Sequence, residues 1–302
     1  MFRKRSKRNI CSKVRIVTYA VPVDTARRIE QIESTLTKSE RRVAALVLRN
    51  PELVAFRTVA VVAEEAGVGA ATVVRFAARL GMDGFGGLQA AVQTDLSRRL
   101  RPAAERIRRD SDPRLVQQHL ALAVENVAVT LQRLDVAALE ALVGRLSDPD
   151  SKVAVLTGDA SSGVAHQLVG DLEALRDGVV LLHGPEVAVG RRLSAFTAAD
   201  TVIAIDLRRY DRQVVRAVEL AADNGAWVAA ITDSPLSPLA TRAAATFVVQ
   251  ADAVGPFDSH VGTLALADLL VAAVAERLRE HASHRLDRAE RTWRDHGMLV
   301  DE

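Results

Sequence analysis

A cluster of arginine and aspartate residues follows one hydrophobic run of this sequence and has the composition of an anion-binding loop. The run Thr201–Asp206 ends in a carboxylate, and Arg208, Arg209, Asp211 and Arg212 come directly after it. Guanidinium groups bind phosphate or carboxylate through paired hydrogen bonds, whereas a carboxylate at the end of a strand repels an anion. Three interpretations stay open: the arginines bind an anion, the site binds another kind of ligand, or internal Asp–Arg pairs close it. The candidate ligand-binding residues of this loop are Asp206, Arg208, Arg209 and Arg212.

Two further segments carry groups that suit a small ligand. The segment Gly158–Gly163 places Ser161 and Ser162 between a hydrophobic run and a helical pattern. Hydroxyls and backbone N–H groups in such a turn form a plausible phosphate cradle, although serine is also an ordinary N-cap. Ser259 and His260 precede the last long apolar helix, where they either reach a ligand or simply cap the helix.

These segments lie between elements that alternate along the chain. Five runs rich in Val, Ile and Ala are predicted to be buried strands: Val153–Thr157, Val179–His183, Thr201–Asp206, Trp227–Thr232 and Phe247–Ala251. Helical patterns occupy Gly163–Leu175, Asp211–Asp223 and His260–Leu278. Alternation at this spacing predicts a doubly wound parallel α/β sheet, in which ligands bind beyond the carboxyl ends of the strands.

The first third of the chain has a different, all-helical pattern. Thr37 and Glu40 have the spacing of a capping box, and Asn50-Pro51 is predicted to stop the helix that they begin. A second helix is predicted after Thr58, a tight turn at Gly67-Val68-Gly69, and a third helix over residues 70–80. Helix, short glycine-containing turn and helix make the helix-turn-helix arrangement.

The third helix divides into a buried face and an outward face. Val73, Phe76, Ala77 and Leu80 recur at helical spacing and are predicted to be buried. The outward face then carries groups suited to DNA, with Thr72 for bases or phosphate, Arg75 for a guanine and Arg79 for a phosphate. An ordinary solvated helix face is the alternative. The candidate DNA-binding residues are Thr58, Ala71, Thr72, Arg75 and Arg79.

Charge is divided unequally between the two parts of the chain. Residues 1–109 contain 22 Lys and Arg against 10 Asp and Glu, a net of +12; the remainder contains 18 against 28, a net of −10, which gives the overall +2. A basic domain joined to an acidic one favours a DNA-binding module with a sensing module over a one-domain enzyme.

The basic part resembles a known family. The segments Leu36–Ala44 and Ala66–Phe76, with Leu80-Gly81 and Gly84-Phe85 after them, are similar to the N-terminal domain of RpiR-type transcriptional regulators. The resemblance covers most of residues 30–98. It implies a helix-turn-helix domain followed by a sugar-isomerase-like (SIS) domain.

The acidic part resembles SIS domains at two places and departs from them at a third. Gly158 and Ser162 match the first SIS signature, with Ala160 in place of its second glycine, and residues 231–239 resemble the segment after the fourth strand. The resemblance implies a phosphosugar effector. SIS domains commonly have a Ser- and Thr-rich phosphate loop after the third strand, where this chain has the Asp and Arg residues of 206–212 instead.

The expected organisation is a basic, flexible tail (1–24), a helix-turn-helix domain (25–105), a helical connector (106–150), the SIS-like domain (151–285) and a C-terminal tail (286–302). Within the connector, Leu120, Val124, Val127 and Leu131 form an apolar stripe that packs on the body or on a second subunit. We expect a homodimer or homotetramer that binds a double-stranded operator. Neither a signal peptide nor a membrane span is visible, so we expect a cytoplasmic protein.

The predicted function is a regulator that senses a phosphosugar and alters its binding to DNA. One alternative is a phosphosugar isomerase with an added basic domain, for which Glu186, Asp206, Asp211 and His260 are the candidate bases. The other is a non-specific architectural DNA-binding protein. With one cysteine, Cys11, and no motif for a metal or cofactor, we expect neither group, and we expect no enzymatic activity.

Overall fold

A computed structural model describes residues 25–300 of the chain, with a few positions left out. These are residues 33, 34 and 236 and, within 101–113, every residue other than Ala104 and Ile107. The predicted basic tail (1–24), Cys11 and the start of the predicted connector (106–113, apart from Ile107) therefore lie outside the described residues.

The N-terminal part, which we call the head (residues 25–100), is all-helical. Its helices are α1 (Thr25–Ile32), α2 (Lys38–Arg49), α3 (Pro51–Phe56), α4 (Val59–Glu65), α5 (Ala70–Arg79) and α6 (Gly84–Leu100). The predicted capping box is confirmed, because Thr37 Oγ1 accepts from the Glu40 amide and Glu40 Oε2 accepts from the Thr37 amide. Asn50 ends α2 as predicted, but its side chain also caps α3, which begins at once with Pro51. The predicted stop is thus a sharp corner between two helices.

The core of the head is built on the predicted buried face of α5. Val73, Phe76 and Ala77 are fully buried against residues of α2 and α6, among them Val43 and Leu88. Gly67, in the turn between α4 and α5, has a φ of 62°, a left-handed conformation that glycine adopts without strain. The helix-turn-helix prediction is confirmed.

The C-terminal part, which we call the body (residues 114–300), is a five-stranded sheet with helices. Its elements are α7 (Leu115–Gln132), α8 (Val136–Leu146), β1 (Val153–Thr157), α9 (Ser162–Leu175), β2 (Val179–Leu182), α10 (Glu186–Leu193), β3 (Thr201–Ile205), α11 (Arg212–Asp223), β4 (Trp227–Thr232), β5 (Ala245–Val248), α12 (Val261–Arg277) and α13 (Arg279–Asp295). All strand pairs are parallel and the order is β2-β1-β3-β4-β5, so the predicted doubly wound fold is confirmed.

The strand order reverses between β1 and β3, which makes their carboxyl ends the expected ligand crevice. Thr157 at the end of β1 lies opposite Ile205 at the end of β3. The residues that follow, Gly158 and Asp206, are therefore neighbours at this edge of the sheet.

The last strand differs from its prediction by two to three residues at each end. It was expected over Phe247–Ala251 and is observed over Ala245–Val248. After Val248 the chain makes one more bond to β4, and then the Gln250 amide donates to Thr130 Oγ1 of α7 at 2.9 Å. The hydrophobic residues Val249 and Ala251 are buried by packing against helices and not by strand pairing.

Helix α7 packs on α12 through polar residues and leaves its apolar stripe uncovered by the described part of the chain. Asn126 and Thr130 are 1% exposed, whereas Leu120 and Val124 are 62% and 52% exposed. A Cβ atom on Gly262 of α12 would lie 2.6 Å from Thr130 Oγ1, so the two helices approach closely there. Of the two alternatives for the stripe, packing on the body is not seen for Leu120 and Val124, because short polar side chains form the close contact instead; pairing with a second subunit stays a prediction.

Helix α13 runs across the predicted boundary between residues 285 and 286. Arg285 holds it to the end of α9 by an ion pair with Asp177 at 2.7 Å and a bond to the Glu173 carbonyl at 2.8 Å. A membrane-spanning helix, which needs both greater length and more continuous apolar character, is not found among the described residues.

Candidate functional site

Helix α5 presents Ala71, Thr72 and Arg75 on the face opposite the core of the head. Arg75 is exposed, and its Nη2 donates to Thr72 Oγ1 at 3.1 Å, so the two side chains act as one polar group. Gly69, the N-cap of α5, supplies no side-chain cap. A guanidinium beside a hydroxyl near a helix N-terminus suits contacts to base edges and phosphates.

Thr58 begins the preceding helix of the same motif. It is exposed, and its hydroxyl caps α4 through a long bond of 3.5 Å from the Val61 amide. The second oxygen lone pair and the hydroxyl proton leave capacity for a phosphate contact.

Arg79, the fifth predicted DNA contact, holds helices together. Its Nη1 lies 2.9 Å from Glu40 Oε2, and its Nη2 donates to the Thr35 carbonyl at 3.0 Å and to Thr35 Oγ1 at 2.8 Å. The backbone amide of Thr37 and the charge of Arg79 hold the pKa of Glu40 below its ordinary range. The guanidinium therefore fastens the end of α5 to the start of α2, and a phosphate contact by Arg79 stays a prediction.

In the body, Asp206 occupies the end of β3 at the reversal point of the sheet. Its side chain lies over Gly158, where a Cβ atom would be 2.5 Å from Asp206 Oδ1. The carboxylate is buried and accepts from the Leu207 amide at 3.0 Å and the Asp211 amide at 2.6 Å. The loop after β3 thus wraps around the side chain of Asp206, which is its first residue.

The environment of Asp206 makes ionisation costly. Burial raises the pKa of this carboxyl to about 6; the amides of Asp211 and Leu207 oppose that shift, and the charges of Asp211 and Asp233 add to it. A carboxyl that titrates this close to neutrality, beside a crevice, is typical of functional sites.

Arg208 is paired within the chain. Its Nη2 lies 2.5 Å from Asp258 Oδ1, and the side chains are only 16% and 13% exposed. Burial would lower the Arg208 pKa, but the hydrogen bond and charge of Asp258 outweigh it and keep the pKa above its ordinary value. Arg208 therefore forms an internal Asp–Arg pair, as the third interpretation of this loop predicts.

Tyr210 forms a second tie between the loop after β3 and its surroundings. Its hydroxyl donates to Asp233 Oδ1 at 2.8 Å, and burial together with the charge of Asp233 raises the tyrosine pKa. Arg209, between the two tied residues, is exposed and has a φ of 69°, in the left-handed region that side chains disfavour. Arg212, on the first turn of α11, is also exposed.

The turn after β1 and the start of α12 complete the crevice. The Ser161 hydroxyl is fully buried, and neither it nor His260 Nδ1 has a hydrogen-bond partner among the described residues. Burial lowers the pKa of His260, which lies against the backbone of Ala160. Ser162 begins α9, and Ser259 accepts from the Val261 amide at 3.4 Å, as the capping alternative predicts.

The structure therefore brings together Ser161, Asp206, Arg208 and His260, linked through Gly158, Asp258 and Ala160. Arg209 lies on the loop after β3 and Arg212 on the first turn of α11, and both are exposed. Sequence reasoning missed Tyr210, Asp233 and Asp258 as parts of the site. All three lie in segments already singled out: Tyr210 within 206–212, Asp233 within 231–239, and Asp258 two residues before His260.

Comparison with known proteins supports the fold assigned to the head and the fold assigned to the body. The family pattern described as a helix-turn-helix domain of the rpiR family matches residues 23–99, and the SIS domain pattern matches residues 146–273. HexR, a transcriptional regulator of Escherichia coli, is 27% identical over 261 residues, which cover 82% of this chain and 88% of HexR.

Two solved structures are similar to this chain. The sugar isomerase domain of an RpiR transcription factor from Sphaerobacter thermophilus is 32% identical, with a TM-score of 0.54, over 59% of this chain and 99% of that one. The NanR protein of Vibrio vulnificus shares the fold, at 22% identity and a TM-score of 0.55, over 91% of this chain and 99% of NanR. This chain belongs to the RpiR family of helix-turn-helix transcriptional regulators that carry a SIS domain.

Proposed function

We propose that this regulator senses a small anionic metabolite, and specifically a phosphosugar, at the crevice between β1 and β3, and that binding alters its affinity for an operator. The observation that carries the proposal is the fully buried Ser161 hydroxyl, without a partner among the described residues, at the N-terminus of the 14-residue helix α9. Helix N-termini attract anions, and a buried polar group without a partner is costly unless a ligand or water completes it.

The remaining groups suit a phosphorylated polyol. Ser162 and the first-turn amides of α9 would contact the phosphate from one side of the crevice, His260 and Ser259 approach from α12, and Arg209 and Arg212 would attract the anion from the side of the loop after β3. NanR was solved in complex with ManNAc-6P, so a protein with this fold accommodates a phosphosugar. Asp206 and Arg208, both bound internally, would contact the sugar or rearrange on binding.

The head would read DNA through Thr72 and Arg75 with Ala71 close to the bases, while Thr58 and Arg79 would lie near phosphates. Two half-sites are usually read by two copies of such a module. On α12, the helix against which α7 packs, Val261 and Leu264 are 38% and 39% exposed, and we propose that they form a homodimer or homotetramer contact together with the exposed stripe of α7. We propose as domains a helix-turn-helix domain of residues 25–105, a connector of 106–150, a SIS-like domain of 151–285 and a tail of 286–302.

A route for coupling is built into the packing of α7. Asn126 Nδ2 donates to the Asp252 carbonyl at 2.8 Å, and Thr130 Oγ1 accepts from the Gln250 amide. Both partners belong to the segment that leads to Asp258 and His260. A ligand that moves this segment would shift α7, which is part of the connector to the head, and a coupling of about 1–3 kcal/mol is usual for such systems.

The candidate bases for an isomerase have other tasks. Glu186 is exposed and pairs with Arg216 at 3.1 Å, and Asp211 caps α11 through the Gln213 amide at 2.7 Å. Asp206 has both oxygens on backbone amides. The homologues with assigned names are transcriptional regulators. We therefore propose a binding and not a catalytic role for the SIS domain.

The test is a thermal-shift screen of the full chain against phosphosugars, their unphosphorylated parents and inorganic phosphate, followed by affinity for a site selected from a randomised duplex pool. A true effector at 100 times its Kd should stabilise the body by about 2.7 kcal/mol and change the DNA affinity. Ser161→Ala should abolish the shift, whereas Ser194→Ala, whose hydroxyl only donates to the Arg191 carbonyl on an exposed helix end, should not. Failure of every phosphosugar to stabilise the protein would overturn the proposal.

A further inference from the structure

One backbone amide at the start of α11 and one in the loop before it already hold an anion, and that anion belongs to the protein. Asp206 Oδ2 accepts from the amide of Asp211, the N-cap of α11, at 2.6 Å, and Oδ1 accepts from the Leu207 amide at 3.0 Å. An amide at the N-cap of a 12-residue helix, at the reversal point of a parallel sheet, is suited to an acidic ligand group. In this chain a carboxylate takes that place.

The surroundings hold the carboxylate there. Gly158 provides the space, because any Cβ atom at that position would overlap the Asp206 side chain. Arg208 is tied to Asp258 and Tyr210 to Asp233, so both flanks of the loop are fixed. The loop therefore keeps the shape of an occupied anion site.

The charges that face Asp206 make a second anion unfavourable. Two carboxylates act on Asp206, that of Asp211 from its own loop and that of Asp233 from the end of β4, and both raise its pKa. The guanidinium of Arg208 is already paired with Asp258, which lies before α12 and also acts on His260. An incoming phosphate or sulfate would add like charge unless one carboxylate is neutralised.

Building on the proposed function, we propose that Asp206 is an intramolecular competitor for the acidic group of the ligand. The ligand anion takes the amides of Leu207 and Asp211 only when Asp206 releases them and binds one proton from solvent. The group exchange is balanced: one carboxylate leaves the amides as a carboxylic acid, and one ligand anion replaces it. Asp206 thereby sets both the selectivity for anions and the way in which the affinity for them depends on pH.

The proposal predicts how affinity varies with pH. Since Asp206 has a pKa of about 6, binding that requires its protonated form weakens about tenfold for each pH unit above that value and levels off below it. Inorganic sulfate is the suitable probe, because it is a tetrahedral dianion whose own charge does not change across this range.

The experiment is calorimetric titration of the full-length protein with sulfate between pH 5.5 and 8.5, in pairs of buffers that differ in ionisation enthalpy. The wild type should take up close to one proton per sulfate at pH 7.5. Asp206→Ser, which removes the carboxylate but keeps a small polar side chain, should bind at least about tenfold more tightly at that pH and without proton uptake. Asp206→Asn serves as a second variant of equal size, should the first fold poorly.

Two controls assign the effect. Asp233→Asn removes a neighbouring charge while leaving the amides of Leu207 and Asp211 occupied, and should retain the proton uptake. His260→Gln should also retain the proton uptake; loss of uptake in this variant would assign the proton to His260 and overturn the proposal.

Equal sulfate affinity in the wild type and in Asp206→Ser would overturn the competitor role of Asp206 as well, while the result of the phosphosugar screen would still stand. Failure of Asp206→Ser to bind sulfate is likewise contrary to the competitor role.

Discussion

The outward face of α5 and the loop after β3 both carry arginines, yet they use them in opposite ways. Arg75 is exposed, and the hydrogen bond that it makes is to Thr72 on the same helix. Arg208 is largely buried and bound to Asp258, fifty residues further along the chain. Arg75 presents its charge to solvent, whereas the charge of Arg208 is neutralised within the fold.

This difference in environment determines how each region can bind a charged partner. An exposed guanidinium binds DNA by displacing counterions, so its contribution depends on salt and changes the fold little when it is removed. Buried charges bind a ligand by exchanging partners, so their contribution depends on pH and is linked to stability. We expect the head to respond to salt and the body to respond to pH.

The largest expected effect is on stability as a function of pH. Asp206 has a pKa of about 6 in the fold against an ordinary value of 3.8, so the folded state binds the proton more tightly than the unfolded state. Protonation of Asp206 therefore stabilises the folded wild type below pH 3.8, and this contribution is lost as the pH rises through 6. Relative to Asp206→Ser it should lose about 3 kcal/mol of unfolding free energy across this interval. Denaturant unfolding of both proteins from pH 3.5 to 7.5 measures the difference, and parallel curves would contradict it.

Next in size is the effect of filling the space over Gly158. Gly158→Ala places a methyl group 2.5 Å from Asp206 Oδ1 and should destabilise the body by about 1–3 kcal/mol. Gly163→Ala, where an added Cβ has no neighbour within 4 Å on the first turn of α9, is the matched control and should be neutral or slightly stabilising. Adding Asp206→Ser to Gly158→Ala should recover most of the loss in thermal unfolding; additive effects would show that the two positions are not coupled.

Removing the exposed guanidinium should affect DNA affinity and leave the fold intact. Arg75→Ala should cost about 1–3 kcal/mol on a selected operator and relax base preference at one position. Arg41→Ala, at another exposed arginine of the head, should leave the ratio of specific to non-specific affinity unchanged. Competition binding on the operator and on scrambled duplexes measures both. An unchanged base preference in Arg75→Ala would mean that α5 is oriented differently on DNA.

The smallest expected effect is that of removing Arg79, an arginine of the head that forms an ion pair within the fold as Arg208 does in the body. Arg79→Ala should lower the stability of the head by on the order of 1 kcal/mol, because Arg79 is partly exposed but joins Glu40 and Thr35. A double-mutant cycle with Glu40→Gln in thermal unfolding isolates the pair. Weaker operator binding at unchanged stability would instead place Arg79 on the DNA surface.

The sequence predicted most of the framework. β1 and β4 have the predicted bounds, and α5 differs from its prediction by one residue. These elements are set by periodic burial, glycine turns and caps, which are read from neighbouring residues. The end of β5 was misjudged because Val249 and Ala251 are buried by helices, and a run of apolar residues does not reveal what buries it.

The site divides in the same way. The alternation of strands and helices predicted that Ser161 and Asp206 lie at the carboxyl edge of the sheet and that His260 precedes the last long helix. Which charges would neutralise one another was left among three interpretations, because the partners Asp233 and Asp258 come from distant segments. The burial of Asn126 and Thr130, with Leu120 left exposed, likewise inverts what a helical pattern alone indicates.

By itself, the sequence determined the helix-turn-helix, the parallel sheet and the separation of positive from negative charge, since each rests on residues within a few positions of one another or on composition. Only the tertiary structure decided that Asp206 lies over Gly158, that Arg208 meets Asp258, and that Arg79 meets Glu40. Such pairs span 39 to 50 residues and form because packing brings the chain back on itself. Local patterns fix the elements, and close packing between elements fixes the chemistry of their side chains.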